Sequence, residues 1–164
     1  MSLLDKDSVK RAQKAIKDFD KSLGITILDN SARTAKDAAS SLNCDVGAIV
    51  KSLLFRTEDS FVLSLVAGDK RCSLNKLRKI TNKKNISMAS PKDVKTQTGY
   101  TIGGVSPIGH LKKIEIIIDN SLKRFNKLFA AAGHPNCVFK IDFNKIQKIT
   151  NGKVEDIIEW DNLR

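Results

Sequence analysis

The feature that most constrains the fold is a pair of apolar runs near the middle of the chain. Residues Ile49–Phe55 and Phe61–Ala67 are rich in Ile, Leu, Val and Phe, and the polar turn Thr57–Ser60 separates them. Apolar runs of this length, bounded by turn residues, predict strands. The short polar connection favours an antiparallel hairpin. The chain is therefore expected to build a β-sheet that its other segments cover.

Helical patterns flank this hairpin. Apolar residues recur at helical spacing over about 8–23, opposite a stripe of lysines, and predict an amphipathic N-terminal helix that ends at Gly24. Thr34 and Ser73 are predicted N-caps of two short helices, and further helices are expected from Pro91 and after Asp142. The remaining strand-like runs are Ile25–Leu28, Ile86–Met88, Ile114–Ile118, Lys127–Ala131 and Val138–Ile141.

The order of these elements predicts the fold class. Strands and helices mix without a regular βαβ rhythm, which favours an α+β fold with a mixed, curved, barrel-like sheet flanked by helices. The length of 164 residues suits one domain, and no linker or repeat interrupts the chain, so a single domain over residues 1–164 is expected.

The charge balance points to a polyanionic partner. The chain carries 29 Lys and Arg against 18 Asp and Glu, a formal net charge of +11. Such an excess concentrates polyanions, and nucleic acid is the leading class. The strongest local cluster, here called the basic segment, spans residues 70–84 without an acid; its cations are Lys70, Arg71, Lys76, Arg78, Lys79, Lys83 and Lys84. This segment and the lysine stripe at 10–21 could equally be solvated faces.

Other compositional features exclude some classes of protein. Asp5 and Asp7 stand where a signal peptide would need an apolar run, and no later segment is apolar for long enough to span a membrane. Cys44, Cys72 and Cys137 lie far apart without a CxxC pair, which indicates neither a zinc site nor a disulfide framework. We therefore expect a cytoplasmic protein without a metal or another cofactor.

One lysine is out of place in the first strand of the hairpin. Alternation puts Lys51 on the same face as Ile49, Leu53 and Phe55, a face expected to point inward. Lysine is rarely buried unless it is paired, so an inward lysine beside a cleft is a functional candidate. The alternative is an edge-strand lysine that blocks aggregation or reaches the surface.

Two glycine-rich segments are further candidates. Residues 98–110 contain four glycines and a proline, too many for a helix or regular strand, and predict a shaped loop. Such a loop can present backbone N–H groups to an oxyanion or a phosphate, or it can be only a turn. A second turn, Gly133–Asn136, holds His134, which could bind substrate, transfer a proton or be incidental. Ser106 has no surrounding GxSxG elbow.

Several short segments, taken in order, resemble the YbaK/ProX family of aminoacyl-tRNA deacylases over roughly residues 25–155. The segments that carry the likeness are Thr34-Ala35, Ala38-Ala39, Ile49–Leu53, Ala67–Arg71, Thr98–Tyr100, Gly103–His110, Ile118-Asp119 and Ala132–Asn136. The resemblance implies an α+β domain of the kind also found as the editing insertion of bacterial prolyl-tRNA synthetases. No synthetase domain is attached here, so it implies editing in trans, by hydrolysis of the ester of a mischarged tRNA.

The resemblance also assigns the site residues. Lys51 matches the family's essential lysine, and Gly103–Pro107 matches its GxxxP loop. The implied catalytic residues are Lys51, Gly103 and Gly104; the implied substrate-binding residues are Tyr100, Ser106, Pro107, Gly133 and His134. The predicted tRNA-binding residues come from the charge pattern of the basic segment and are Lys70, Arg71, Lys76, Arg78 and Lys79. No metal or cofactor is implied, the partner is mischarged aminoacyl-tRNA, and a synthetase is a further candidate partner of an expected monomer.

Two other readings compete with editing. A non-catalytic RNA-binding or regulatory module would use the same cations and bind without turnover. A thiol or serine hydrolase would depend on one of the three cysteines or on Ser106. Family members differ in removing alanine, cysteine, serine, threonine or related residues, and small changes in pocket shape decide this preference. The sequence therefore leaves the edited amino acid open.

Overall fold

The computed structural model describes residues 2–29 and 34–160; positions 1, 30–33 and 161–164 of the predicted domain lie outside the described residues. The helices are α1 Asp7–Phe19, α2 Ala35–Leu42, α3 Leu74–Thr81, α4 Pro91–Thr98 and α5 Phe143–Thr150. The strands are β1 Ile25–Ile27, β2 Ile49–Arg56, β3 Phe61–Ala67, β4 Arg71–Cys72, β5 Ser87–Met88, β6 Glu115–Asp119, β7 Leu128–His134, β8 Cys137–Ile141, β9 Lys153–Glu155 and β10 Ile158–Glu159.

The strands form one large mixed sheet and a small ladder. The order of the large sheet is β1-β8-β7-β2-β3-β6-β9, with β5 paired to β2, while β4 pairs with β10. The predicted hairpin is confirmed, because β2 and β3 are antiparallel from Val50 opposite Ala67 to Arg56 opposite Phe61. β2–β7, β3–β6 and β6–β9 are parallel. The predicted α+β class with a mixed sheet is thus confirmed, and the strand order is open rather than closed.

Side-chain caps explain where the short helices begin. Thr34 accepts a hydrogen bond from the backbone N–H of Asp37 at 3.1 Å, and Ser73 accepts one from Lys76 at 3.2 Å. Ser90 caps α4 in the same way. Each cap satisfies one of the N–H groups that a helix start leaves without a partner. These helix starts agree with the sequence predictions.

The N-terminal helix is shorter than predicted. α1 ends at Phe19, whereas the apolar spacing continues to Leu23. The carboxylate of Asp20 accepts hydrogen bonds from both the backbone N–H and the hydroxyl of Ser22, at 2.9 and 2.6 Å. This local turn competes with helical hydrogen bonding, which is why the helix stops before Gly24.

The buried residues position β2 between different clusters. Val9, Ala12 and Ile16 of α1 are fully buried in the main core, and α1 packs against β7. From β2, Val50 and Leu54 join this main core. The opposite face of β2 contributes to two smaller clusters instead. The face of β2 that carries Lys51 is therefore not the face that packs on α1.

Candidate active site

A gap in strand pairing creates the site. β3 lies along the whole of one edge of β2. On the other edge, β7 pairs only with Ile49 and Val50, and β5 pairs only with Phe55 and Arg56. Between these ladders, no strand of the described residues covers the edge of β2. A cavity of about 770 Å³ opens at this place.

The register of the hairpin shows which backbone groups face the cavity. Gly68 donates its N–H to the carbonyl of Ile49 at 2.7 Å, and Thr57 donates to Ser60 at 2.9 Å. In an antiparallel pair the bonded positions alternate, so the N–H and C=O of Ser52 point to the opposite edge, away from β3. The carbonyl of Leu54 on that edge accepts from Ala89 at 3.0 Å. Ser52 therefore presents its backbone donor and acceptor to the cavity.

The cavity wall is mostly apolar. Its apolar residues come from α2, β2, β7, β8 and the glycine-rich loop, among them Ala35, Ala38, Ile49, Val105, Phe129, Ala131 and Val138. Three charged residues, Lys36, Lys51 and Asp69, also line it. A concave, apolar site of several hundred cubic ångströms with a few polar groups is typical of a small-molecule or cofactor pocket.

Lys51 stands at the mouth of this cavity. Its side chain is half-buried, and its ammonium donates a hydrogen bond to the backbone carbonyl of Lys70. Burial lowers the pKa of Lys51 below its ordinary value, and the nearby Asp69 carboxylate opposes that shift. Strand alternation predicted that Lys51 points inward. In the structure, its side chain lines the cavity and does not lie in the hydrophobic core.

Asp69 is held by a fixed partner. The two guanidinium nitrogens of Arg124 lie 2.7 and 3.0 Å from its carboxylate oxygens, and Arg124 also donates to the carbonyl of Ser121. Hydrogen bonding from Arg124 lowers the pKa of Asp69. Asp69 thus stays ionised beside Lys51. Sequence reasoning gave it no role, although it lies in the Ala67–Arg71 segment.

The glycine-rich loop packs against the end of β7. The predicted turn Gly133–Asn136 is shorter in the structure, because Gly133 and His134 belong to β7 and only Pro135 and Asn136 form the turn. The N–H of Gly133 donates to the carbonyl of Gly104 at 3.0 Å. A Cβ on Gly104 would lie 2.9 Å from the backbone nitrogen and Cα of His134, so this contact requires glycine. Gly103, with φ of 91°, lines the cavity beside Pro135. The N–H of Gly104 already donates to Thr101 at 2.9 Å.

Tyr100 lies beneath the loop. Its ring is fully buried, and its hydroxyl is 2.9 Å from the carbonyl of Ile108 and 3.1 Å from that of Gly109. The guanidinium of Arg11 lies 4.6 Å from the ring centroid and donates to the carbonyl of Gly109 at 2.9 Å. Burial raises the pKa of the Tyr100 hydroxyl. These contacts tie the loop to α1.

The other predicted substrate-binding residues are placed around the cavity, not in its wall. Ser106 and Pro107 are buried, and the carbonyl of Ser106 lies 2.7 Å from the Nε2 of His110. The Nδ1 of His134 accepts from the backbone N–H of Asn136 at 3.0 Å, and burial lowers the pKa of His134. Of the predicted catalytic and substrate-binding residues, only Lys51 and Gly103 line the cavity within the described ranges.

Comparison with known proteins decides the family. The model of the aminoacyl-tRNA editing domain matches residues 29–149. YwhH of Bacillus subtilis (strain 168) is 32% identical over 148 residues, which cover 90% of this chain and 94% of that protein. The chain belongs to the aminoacyl-tRNA editing family. It is a hydrolase of the class that acts on the ester bond of mischarged tRNA, and the resemblance to YbaK/ProX proteins is confirmed.

Further relatives of this editing domain carry more specific names. A crystal structure described as a candidate trans-editing enzyme for prolyl tRNA synthetase superposes with a TM-score of 0.90 at 33% identity, covering 94% of this chain and 99% of that one. EbsC of Enterococcus faecalis (strain ATCC 700802 / V583), named as a candidate Cys-tRNA(Pro)/Cys-tRNA(Cys) deacylase, is 28% identical over 76% of both chains. Several proline–tRNA ligases also match, and the chain spans 16% to 22% of their length.

In the folded editing domain, the basic segment carries less unpaired positive charge than its sequence suggests. Acidic residues from other parts of the chain pair with three of its cations: Lys76 with Asp156 at 3.0 Å, Lys83 with Asp59 at 2.9 Å and Arg71 with Glu159 at 3.9 Å. Within the described ranges, the side-chain cations of Lys70, Arg78, Lys79 and Lys84 form no ion pair with a carboxylate. These ion pairs could not be predicted from the sequence, because the acidic partners lie far from the basic segment along the chain.

The thiols do not suit a nucleophile. Burial raises the pKa of Cys72 to about 11 and also raises the pKa values of Cys44 and Cys137. A thiol with a raised pKa carries little thiolate at neutral pH, which weakens the thiol-hydrolase reading.

Within residues 2–29 and 34–160, no group of His, Cys, Asp and Glu could hold a metal ion, and no helix has the length and apolar character to cross a membrane.

Proposed function

We propose that this domain edits in trans: it binds the 3′ end of a mischarged tRNA and hydrolyses the ester between the wrong amino acid and the terminal adenosine. The observation that carries this proposal is the position of Lys51 at the mouth of a large apolar cavity, where the pairing of β2 is interrupted. The family supplies the reaction, and the cavity supplies space for an aminoacyl group together with part of a nucleoside.

In this proposal Lys51 holds the substrate by charge. A half-buried ammonium at a cavity mouth attracts a phosphate or a developing oxyanion more strongly than a solvated one would, because water screens it less. Its hydrogen bond to the carbonyl of Lys70 fixes its direction. Asp69, held by Arg124, keeps a negative charge nearby and favours the protonated form of the lysine.

The backbone around the cavity supplies the remaining polar contacts. At the open edge of β2, the C=O of Ser52 can accept from the α-amino group of a bound amino acid, and its N–H can donate to the carbonyl of that amino acid. At Gly103 the cavity wall has no side chain, so the backbone there can lie close to the ligand. Because the amide of Gly104 already bonds to Thr101, we propose that Gly104 holds the loop in shape while Gly103 faces the ester.

The proposed reaction uses a water molecule and groups of the substrate. The water oxygen bonds to the ester carbonyl carbon, the bond from that carbon to the ribose oxygen breaks, and a proton from the water passes to the ribose oxygen. Among the described residues that line the cavity, the only carboxylate is Asp69, which Arg124 already engages. We therefore propose that a ribose hydroxyl of the substrate positions the water.

A panel of mischarged tRNAs tests this proposal. The named relatives make tRNA(Pro) the first choice, charged with cysteine, alanine, serine or threonine, with Pro-tRNA(Pro) as the cognate control. We expect the loss of at least one mismatched amino acid to accelerate well above the spontaneous rate, while proline stays attached. A protein that binds these tRNAs and releases none of the amino acids would instead support the RNA-binding module.

A further inference from the structure

A second cleft adjoins the cavity, and Lys51 belongs to the walls of both. It has a volume of about 720 Å³ and shares Lys51, Leu53, Gly68, Asp69 and Met88 with the cavity wall. The rest of this second cleft includes charged and aromatic side chains. Lys70 and Arg71 supply cations, Glu159 a carboxylate and Trp160 an indole, and Cys72 lies among them. A chain molecule bound in the cavity could therefore continue past Lys51 into the second cleft.

The small ladder of β4 and β10 builds this cleft. Arg71 lies opposite Glu159, and Cys72 lies opposite Ile158, in antiparallel register. This pairing brings Trp160 next to Lys70, whose ammonium is 5.2 Å from the centroid of the indole ring. Residues separated by about ninety positions thus come together beside Lys51. Neither strand was predicted from the sequence, so this aromatic group was not recognised there.

The composition of the second cleft is unusual for a solvent-exposed surface. Trp160 is 58% exposed and Met88 is 57% exposed, although large apolar side chains of this kind are normally covered. Lys70 lies over the indole, and the side chain of Arg71 is 86% exposed. The ion pair of Arg71 with Glu159, at 3.9 Å, is long and open to water, so it is a weak pair that a phosphate could replace.

We propose that the second cleft binds the nucleotide that precedes the terminal adenosine, with its base stacked on Trp160 and a phosphate near Lys70 and Arg71. An exposed indole beside cations is the arrangement that binds single-stranded nucleic acid, since every base has a face that can stack. This inference rests on the proposed function, because the terminal adenosine must occupy the neighbouring cavity. It also gives Lys51 a place between two successive nucleotides.

The single tryptophan of the chain allows a direct test. Trp160 is the only tryptophan in the sequence, so the intrinsic fluorescence reports on this cleft alone. We expect the trinucleotide CCA to quench this fluorescence in a saturable way, and adenosine 5′-monophosphate to quench it far less. Loss of one stacked base costs about five- to a hundredfold in affinity. The absence of saturable quenching by CCA would overturn the proposal.

Deacylation kinetics separate this subsite from the proposed function. In the Trp160→Ala variant, we expect the KM for mischarged tRNA to rise about five- to a hundredfold, with partial recovery in Trp160→Phe. Hydrolysis of a 3′-aminoacyl-adenosine, which lacks the preceding nucleotide, should stay unchanged in both variants. Phe19→Ala removes another part-exposed aromatic side chain, away from either cleft, and is the matched control.

The outcomes of these assays are distinguishable. A Trp160→Ala variant with the wild-type KM for mischarged tRNA overturns the subsite, even if the enzyme is active. An equal loss on tRNA and on aminoacyl-adenosine also overturns it, because the indole would then act on the cavity itself. If the wild-type domain hydrolyses neither substrate, the proposed function fails, and the fluorescence titration alone decides whether the cleft binds CCA.

Discussion

Replacement of Lys51 is the perturbation that tests the active site most directly. A unit charge about 4 Å from a phosphate or oxyanion contributes about 4 kcal/mol at an effective dielectric constant of about 20. Because Lys51 is only partly buried and water screens part of its charge, we take a somewhat smaller value of about 3 kcal/mol. This loss corresponds to about a hundredfold decrease in the rate of deacylation in Lys51→Met or Lys51→Ala.

The same substitution should not destabilise the fold. Burial lowers the pKa of Lys51, so folding disfavours its charged form at every pH below the pKa in the folded state. This cost falls as the pH rises through the folded-state pKa towards the ordinary value of 10.5. Lys51→Met should therefore be at least as stable as the wild type at pH 7, and the difference should shrink at alkaline pH.

The assay for Lys51 combines initial rates on the best mischarged tRNA with urea denaturation at pH 7 and pH 10. Lys51→Arg should recover little activity, because a planar guanidinium does not replace a compact ammonium in a confined site. Lys153→Met is the matched control, since Lys153 is an exposed strand lysine on β9 that lines neither cleft. Wild-type turnover by Lys51→Met would refute the electrostatic role, and an unfolded variant would refute the reasoning on burial.

Two further predictions concern the loop and the basic segment. Tyr100→Phe removes a buried hydroxyl that binds two loop carbonyls, so the free energy of unfolding should fall by about 1–2 kcal/mol in urea titrations, and unchanged stability would contradict this role. Charge reversal of Arg78 and Lys79, which have no carboxylate partner among the described residues, should weaken tRNA binding and reduce its salt dependence. Reversal of Lys76, which pairs with Asp156, should reduce the salt dependence of tRNA binding less. If all of these variants keep the salt dependence of the wild type, the basic segment is only a solvated face.

Local patterns predicted the helices and the long strands well. The hairpin of β2 and β3 and the helix starts at Thr34 and Ser73 follow from residues that are neighbours in sequence. The two-residue strands β4 and β10 could not be predicted in this way, because a pair of residues carries no periodicity. Their pairing depends on tertiary contacts, and with it the position of Trp160.

The candidate site was predictable only in part, for a similar reason. Lys51 and the glycine-rich loop were identified from their own residue types. Whether a residue of that loop lines the cavity or supports it depends on packing between distant segments. Tyr100, for example, bonds inward to the loop carbonyls, although its position in the loop suggested substrate contact. Asp69 gains its importance from Arg124, which is 55 positions away.

The interrupted pairing of β2 links the fold to the proposed chemistry. A central strand normally bonds along both edges, since buried N–H and C=O groups without partners are costly. Here β7 leaves β2 after Val50 and β5 joins it only at Phe55, so the intervening edge is open at the cavity. A ligand with its own donors and acceptors would satisfy the backbone of Ser52, whereas an apolar ligand would leave it unpaired. An aminoacyl ester supplies both a donor and an acceptor. The ammonium of Lys51, on the same strand, would then bind the nucleotide to which the amino acid is esterified.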